Sequence, residues 1–128
     1  MAAPVFLTLA EVLEIHQDQL NRYGGRSGIR DLDLLKSALA MPQAGMGEEY
    51  FHADIMEMAA AYLFHVVRNH PFVDGNKRAG AVAALVFLVL NGIDIEAEEA
   101  EFEHLVRRVA ESEADKNEIA AFLRSRAK

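Results

Sequence analysis

Twelve consecutive residues, Ala79 to Leu90, carry no charged or polar side chain: Ala-Gly-Ala-Val-Ala-Ala-Leu-Val-Phe-Leu-Val-Leu. The run follows Gly75 and ends at Asn91-Gly92, and it reads as a helix from about Gly75 to Asn91. A helix that is apolar on every side offers no face to water, so other elements must surround it. The run is too short to cross a bilayer, which takes roughly 20 residues. The chain is therefore expected to wrap further helices around this one, as the buried centre of an all-α domain. The small residues Ala79, Gly80, Ala81 and Ala83 let those neighbours come close.

The flanking sequence supplies the neighbours. Thr8 with Glu11 makes the capping-box pattern, and Leu9, Val12, Leu13, His16 and Leu20 follow at helical spacing. Gly24-Gly25 closes that helix. Asp31 caps a second, carrying Leu32, Leu35 and Leu39, which Pro42 stops. Residues 42–52 read as the longest loop, either functional or a plain connector. Asp54 and Glu57 open a third helix, and Pro71 ends it near His70. A short extended piece is expected at Ile93-Asp94-Ile95, a fifth helix from about Glu98 to Glu111, and a sixth opened by Asp115 with Glu118. At 128 residues the chain is expected to form one domain, 1–128.

Charge and composition narrow the partners. A net charge of −7 argues against binding to a nucleic-acid backbone. The absence of cysteine removes disulfides and thiolate metal sites. The N-terminal Met-Ala-Ala-Pro-Val-Phe-Leu-Thr lacks a basic stretch followed by an apolar run, so a cytoplasmic location is expected, with no membrane contact. The helices around Pro71 suggest a helix-turn-helix, but a recognition helix must expose polar side chains and this second helix has few.

The chemistry concentrates in His70-Pro71-Phe72-Val73-Asp74-Gly75-Asn76-Lys77-Arg78. The first amides of the helix that begins near Gly75 have no partner within it, and the helix dipole there favours an anion. Lys77 and Arg78 add positive charge where a helix disfavours it, a cost that a bound phosphate reverses. Asp74 is one carboxylate beside that position, enough for a magnesium ion that completes its shell with phosphate oxygens and water. His70 can accept a proton from an attacking hydroxyl. Arg68, two residues before it, can reach a phosphate or a carboxylate, and Phe72 is expected to anchor the loop in the core. Each part also has a plain reading: a structural histidine, an Asp-Gly turn, a solvated Lys-Arg pair. His16, His52, His65 and His104 show no metal-ligand spacing and read as surface or satisfied core histidines, His65 being close enough to support the loop. Arg107-Arg108 and the acidic run Glu96 to Glu103 read as solvated helix faces.

The run resembles the signature of the Fic superfamily, histidine-x-phenylalanine-x-(aspartate or glutamate)-glycine-asparagine-x-x-arginine, and within it the Doc (death-on-curing) branch. Asn21-Arg22-Tyr23-Gly24-Gly25, Gly28-Ile29-Arg30-Asp31, Leu35-Lys36-Ser37-Ala38-Leu39 and Phe87-Leu88-Val89-Leu90-Asn91-Gly92 resemble that branch too. The resemblance implies an all-helical fold with the loop between two core helices. It implies His70 as general base, Asp74 holding Mg2+, and Gly75, Asn76, Lys77 and Arg78 as an anion cradle. Residues 42–52 lie where relatives carry a flap that docks the target segment. Lys77 stands where most members have a second glycine, and Ala81 where they have a second arginine. Those members transfer AMP from ATP. The Doc branch shares the lysine and resembles a kinase that moves the terminal phosphate of ATP to a threonine of elongation factor Tu, arresting translation. Val82 stands where the Doc prototype has asparagine. The inhibitory helix motif found in many Fic enzymes is not in this sequence, so restraint is expected from a Phd-like antitoxin. The alternatives are AMP transfer to a protein hydroxyl and a catalytically silent antitoxin-binding module.

Overall fold

The computed structural model describes residues 3–128. Its order is α1 (Leu9–Tyr23), α2 (Leu32–Ala40), a short 3₁₀ turn (Met41–Gln43), β1 (Gly45–Met46), β2 (Glu49–Tyr50), α3 (Ile55–Asn69), α4 (Asn76–Leu90), α5 (Glu99–Ala110) and α6 (Lys116–Arg126). The fold is all-α, as the sequence predicts, apart from one hairpin.

Local chemistry sets the helix starts. The Thr8 hydroxyl accepts from the Glu11 amide while the Glu11 carboxylate accepts from the Thr8 amide, a complete capping box. Asp31, Asp54 and Asp115 each accept from the amide three residues on. At Asp54 and Asp115 the glutamate three residues on does not return a bond to the cap amide, so neither makes a reciprocal box. Glu57 turns to the Ala53 amide and to Arg124, and Glu118 pairs with Arg108 across to α5. Tertiary charge partners outcompete the weaker local bond there.

Helices α3 and α4 form the centre. Gly80 makes their closeness possible: a Cβ there would lie 2.9 Å from Val67 Cγ2 and 3.2 Å from the Leu63 carbonyl oxygen. Tyr62, Leu63, Val66, Phe72, Ala83, Phe87 and Leu88 are fully buried between them and α2, α5 and α6. Phe6 stacks on Phe87 and reaches Tyr50 of the hairpin, tying the N-terminal segment to both.

Helix α4 is central, but its burial is not all-round. Ala79, Gly80, Ala83, Ala84, Phe87 and Leu88 face the core. Val89 and Leu90 are 60% and 44% exposed, and Ala81, Val82 and Leu85 line a groove. Its neighbours are chiefly α3 and α1, with α5 at one edge, and among the described residues they leave Val89 and Leu90 at its C-terminal turn largely uncovered.

The 42–52 segment is more ordered than the loop expected from sequence. Its hairpin pairs Gly45 with Tyr50 and Met46 with Glu49. Strands of two residues show no alternating pattern, so periodicity could not reveal them. At the other end, Ile95 bridges to Ala127, the extended piece expected at 93–95.

Candidate active site

Helix α3 ends where Pro71 makes the helical conformation unfavourable for the residue before it. His70 takes the left-handed conformation there, φ 52° and ψ 52°, rather than the extended one usual before proline. The chain then crosses to α4 in five residues, 71–75, held from three sides.

Asn76 holds it from within. Its side-chain oxygen accepts from the Phe72 amide at 2.9 Å, and its side-chain nitrogen donates to the Phe72 carbonyl at 3.0 Å. Both bonds fix which end of the amide is which. The second hydrogen of that nitrogen points to His70 Nδ1, 3.1 Å away. Nδ1 is therefore the bare nitrogen of a neutral ring, and Nε2 carries the hydrogen.

Helix α1 holds the segment from below. The buried His16 ring lies on Phe72, centroids 3.7 Å apart and planes 6° from parallel. Its Nε2 donates to the Asp74 carbonyl at 2.7 Å. Phe72 is fully buried, the anchor the sequence predicts.

The α1–α2 connection holds it from the side. Arg30 and Asp31 amides both donate to the Pro71 carbonyl, Val73 donates to the Gly28 carbonyl, and Ile29 bridges Phe72. The Arg26 amide donates to Asp74 Oδ2 at 3.0 Å, and the Gly75 amide donates to Oδ1 at 2.9 Å. These two amides, supported by the charges of Arg78 and Arg26, hold the Asp74 carboxyl below the usual carboxylate range. A side chain at Gly25 (φ 121°) would put its Cβ 3.0 Å from Asp74 Oδ2, so the approach needs glycine.

Gly75 caps α4 in the left-handed conformation, with no side chain capping the helix. The first intrahelical bond runs from the Ala79 amide to the Gly75 carbonyl. The amides of Asn76, Lys77 and Arg78 precede it and have no partner in the helix, an arrangement that suits an anion. Among the described residues Lys77 makes no ion pair, and its side chain is exposed. Arg78 is already engaged: it donates to the Gln19 and Gly24 carbonyls and lies over the Tyr23 ring.

Arg68, His70, Asp74, Gly75, Asn76, Lys77 and Arg78 all line one cavity of about 440 Å³. The seven residues singled out from sequence thus share a space large enough for a small ligand. Arg68 also donates to the Ala110 carbonyl, which closes the cavity from the α5 side. Among the described residues no three His, Asp or Glu side chains gather as a metal site. The Asp74 carboxylate still has lone pairs free beyond its two amide bonds. A divalent cation there fits if it takes its remaining ligands from phosphate oxygens and water.

Other histidines lie apart. His65 does not support the 71–75 segment. Its Nε2, with that of His52, accepts from Lys116 Nζ at 3.2 and 3.3 Å, joining α3, the end of the hairpin segment and α6. His104 is exposed on α5. Sequence reasoning missed His16, Arg26 and Arg30 as parts of the site. The one available signal was the cluster Gly24, Gly25 and Gly28, all with positive φ.

A helical domain whose two core helices are joined by a histidine-to-arginine loop over a helix N-terminus defines the class. The chain belongs to the Fic/DOC family, whose pattern it matches over residues 6–88. It is similar to the "Toxin Doc" of Mycolicibacterium smegmatis, 39% identical over 103 residues, covering 79% of each chain. It is also similar to the "Protein kinase doc" of Escherichia phage P1, 34% identical over 85 residues, covering 66% of this chain and 67% of that one.

Proposed function

We propose that this protein is the toxin of a toxin–antitoxin pair and that it transfers the terminal phosphate of ATP to a protein hydroxyl, a threonine of elongation factor Tu, in the cytoplasm. The observation that carries the reading is Lys77. It is a cation with no ion pair among the described residues, at a helix N-terminus, in the cavity that also holds His70 and Asp74. The relatives named as a toxin and as a protein kinase support it.

In this mechanism the free amides of Asn76, Lys77 and Arg78, with the Lys77 ammonium, bind the phosphates. Arg68 closes the cavity on the other side. Asp74 would hold Mg2+, which would offset charge on the phosphate oxygens. The target hydroxyl oxygen forms a bond to the terminal phosphorus as the bond from that phosphorus to the bridging oxygen breaks. The hydroxyl proton passes to His70, and ADP leaves. A positioned general base contributes about 10²–10⁴ in rate. Ala81, which lines the adjoining groove, gives no second cation for the phosphates, in keeping with a different nucleotide placement from that of AMP-transferring relatives.

The partner that restrains such a toxin is an antitoxin. A groove of about 630 Å³ runs between α1, α4 and α5 over Tyr23, Val82, Leu85, Phe102 and Val106, and it shares Lys77 and Arg78 with the cavity. An antitoxin segment lying there covers Lys77. Glu99, Glu103 and Arg107 on the α5 wall suit a segment of mixed charge.

The test is a pair of reactions with elongation factor Tu, Mg2+ and ATP labelled at the terminal or the innermost phosphate, with His70→Ala as control. Label from the terminal phosphate alone, lost in the variant, supports the kinase. Label from the innermost phosphate means AMP transfer. Antitoxin binding without any labelling in whole bacterial lysate means a silent binding module.

A further inference from the structure

We propose that Arg30 is a positioning residue for His70: its guanidinium holds the end of α3 so that the imidazole points into the cavity. The proposal deepens the reading above and rests on His70 being the base.

His70 is one of two non-glycine residues with positive φ among those described, the other being Ser112 in the α5–α6 turn. The left-handed conformation is costly for a residue with a Cβ, so contacts around it must hold it there. The last carbonyls of α3 have no partner within the helix. Arg30 supplies two. Its Nε donates to the His70 carbonyl at 2.6 Å, and a terminal nitrogen donates to the Asn69 carbonyl at 3.0 Å. The fork therefore grips the two consecutive peptide oxygens on which the turn into Pro71 depends. A cation at a helix C-terminus is also favoured by the helix dipole.

The arginine is itself fixed. Its own amide donates to the Pro71 carbonyl at 2.7 Å, and the neighbouring Val73 amide bonds back to Gly28. Backbone and side chain of Arg30 thus bind three successive carbonyls, those of Asn69, His70 and Pro71. Among the described residues Arg30 pairs with no carboxylate, although the chain is acidic overall. Its guanidinium is directed to the backbone of Asn69 and His70. On the far side, the Asn69 side chain donates to the Leu34 carbonyl, so the same turn is anchored to α2. Asn76 holds the imidazole, and Arg30 holds the peptide from which it hangs.

A plain helix cap and a positioning residue differ in what their loss changes. Losing a cap lowers thermal stability and leaves the ring in place. Losing a positioning residue moves the ring, and with it the turnover number, while nucleotide binding through α4 is kept. The test uses Arg30→Ala and Arg30→Lys in the full chain, with carbon-13-labelled histidine. Without nucleotide, the His70 ring resonance is expected to shift in Arg30→Ala, while those of His65 and His104 stay in place. In the transfer reaction kcat is expected to fall about 10²-fold, the order expected for a misplaced reacting group. KM for ATP is expected to stay within about twofold. Arg30→Lys, which can reach one carbonyl, is expected to lie between, and added guanidinium ion is expected to restore part of the Arg30→Ala rate. An unmoved His70 resonance in both variants overturns the proposal, as does an unchanged kcat in an active protein. If wild-type protein transfers no phosphate, the resonance measurement still decides whether Arg30 positions His70, and the loss falls on the proposed function instead. Should Arg30→Ala not fold, Arg30→Lys decides by the same two readouts.

Discussion

The side-chain amide of Asn76 donates to His70 Nδ1 at 3.1 Å, and its two bonds to the Phe72 backbone leave it no other orientation. The ring nitrogen facing Asn76 therefore bears no hydrogen while His70 is neutral. A proton arriving at Nδ1 must displace the amide, and one arriving at Nε2 must follow the departure of the hydrogen already there. The resting contact thus sets the tautomer, and if His70 is the base proposed above, proton transfer to Nδ1 requires the contact to be released. Nitrogen-15 shifts of the His70 ring at neutral pH are expected to show the Nε2–H form. The Asn76→Ala variant is expected to show a mixture of tautomers. It also leaves the buried Phe72 amide and carbonyl without partners, a loss of about 2–4 kcal/mol, read as a lower unfolding midpoint in urea. A ring unchanged in the variant would show that Asn76 does not govern it.

Lys77 separates binding from stability. It stands in the first turn of α4, where a helix dipole disfavours a cation. Lys77→Gln is expected to stabilise the protein without nucleotide by about 0.3–1 kcal/mol, while weakening ATP binding at least tenfold. Calorimetric titration and thermal melts on the same samples check both signs. If both quantities fall, Lys77 supports the folded free protein directly and its place at the helix start is structural.

Four helix starts were legible because each depends on a side chain and an amide three residues apart, as at Thr8, Asp31, Asp54 and Asp115. The candidate site was legible for the same reason: His70 to Arg78 span a helix end, a turn and a helix start, all local. What sequence could not show is what grips that turn from a distance. Arg30 reaches a carbonyl 40 residues away, His16 one 58 residues away, and the Arg26 amide a carboxylate 48 residues away. No local pattern records such pairs. His16 read as either a surface or a satisfied core histidine; it is buried, and its place under Phe72 follows only from the packing of α1 on α4. The over-reading of α4 has a different cause. An apolar run shows that burial is affordable on every face, not that neighbours are present on every face, and Val89 and Leu90 are left exposed.

Gly80 predicts a limit on core substitution. Alanine gains about 1 kcal/mol in helix propensity over glycine. Its Cβ, however, would lie 2.9 Å from Val67 Cγ2 and 3.2 Å from the fixed Leu63 carbonyl. Overpacking of this kind typically costs 1–3 kcal/mol. Gly80→Ala is therefore expected to be net destabilising by about 1 kcal/mol, and Gly80→Val by clearly more. Because His70 directly follows the end of α3 and Lys77 lies in α4, pushing the two helices apart is also expected to lower transfer activity. Urea melts and activity on both variants check this. An alanine variant more stable than wild type would mean that α3 and α4 can separate freely.

The His52–Lys116–His65 cluster predicts a pH dependence unrelated to catalysis. Burial first, and then the Lys116 charge, push the His65 imidazole down to about 4, and the same two causes lower His52. Both rings accept from Lys116 Nζ and so bear no hydrogen at Nε2. A histidine whose pKa falls on folding is protonated more readily in the unfolded chain. The unfolded state then binds more protons between about pH 6.5 and 4, and stability rises with pH through that window. Going down in pH, the loss begins near 6.5 and is complete near 4. Asp74, with its carboxyl depressed, acts lower, since its contribution is lost only as pH falls below its unfolded value of 3.8. The two effects therefore separate on the pH axis. Because His65 is only half-buried, the expected loss between pH 7 and 4.5 is discounted to about 1 kcal/mol, or a Tm drop of roughly 4 °C. His65→Gln can keep an acceptor for Lys116 without a titrating ring, and it is expected to flatten the slope over this window. Equal slopes in the variant and the wild type would mean that the cluster is too solvated to couple proton binding to folding.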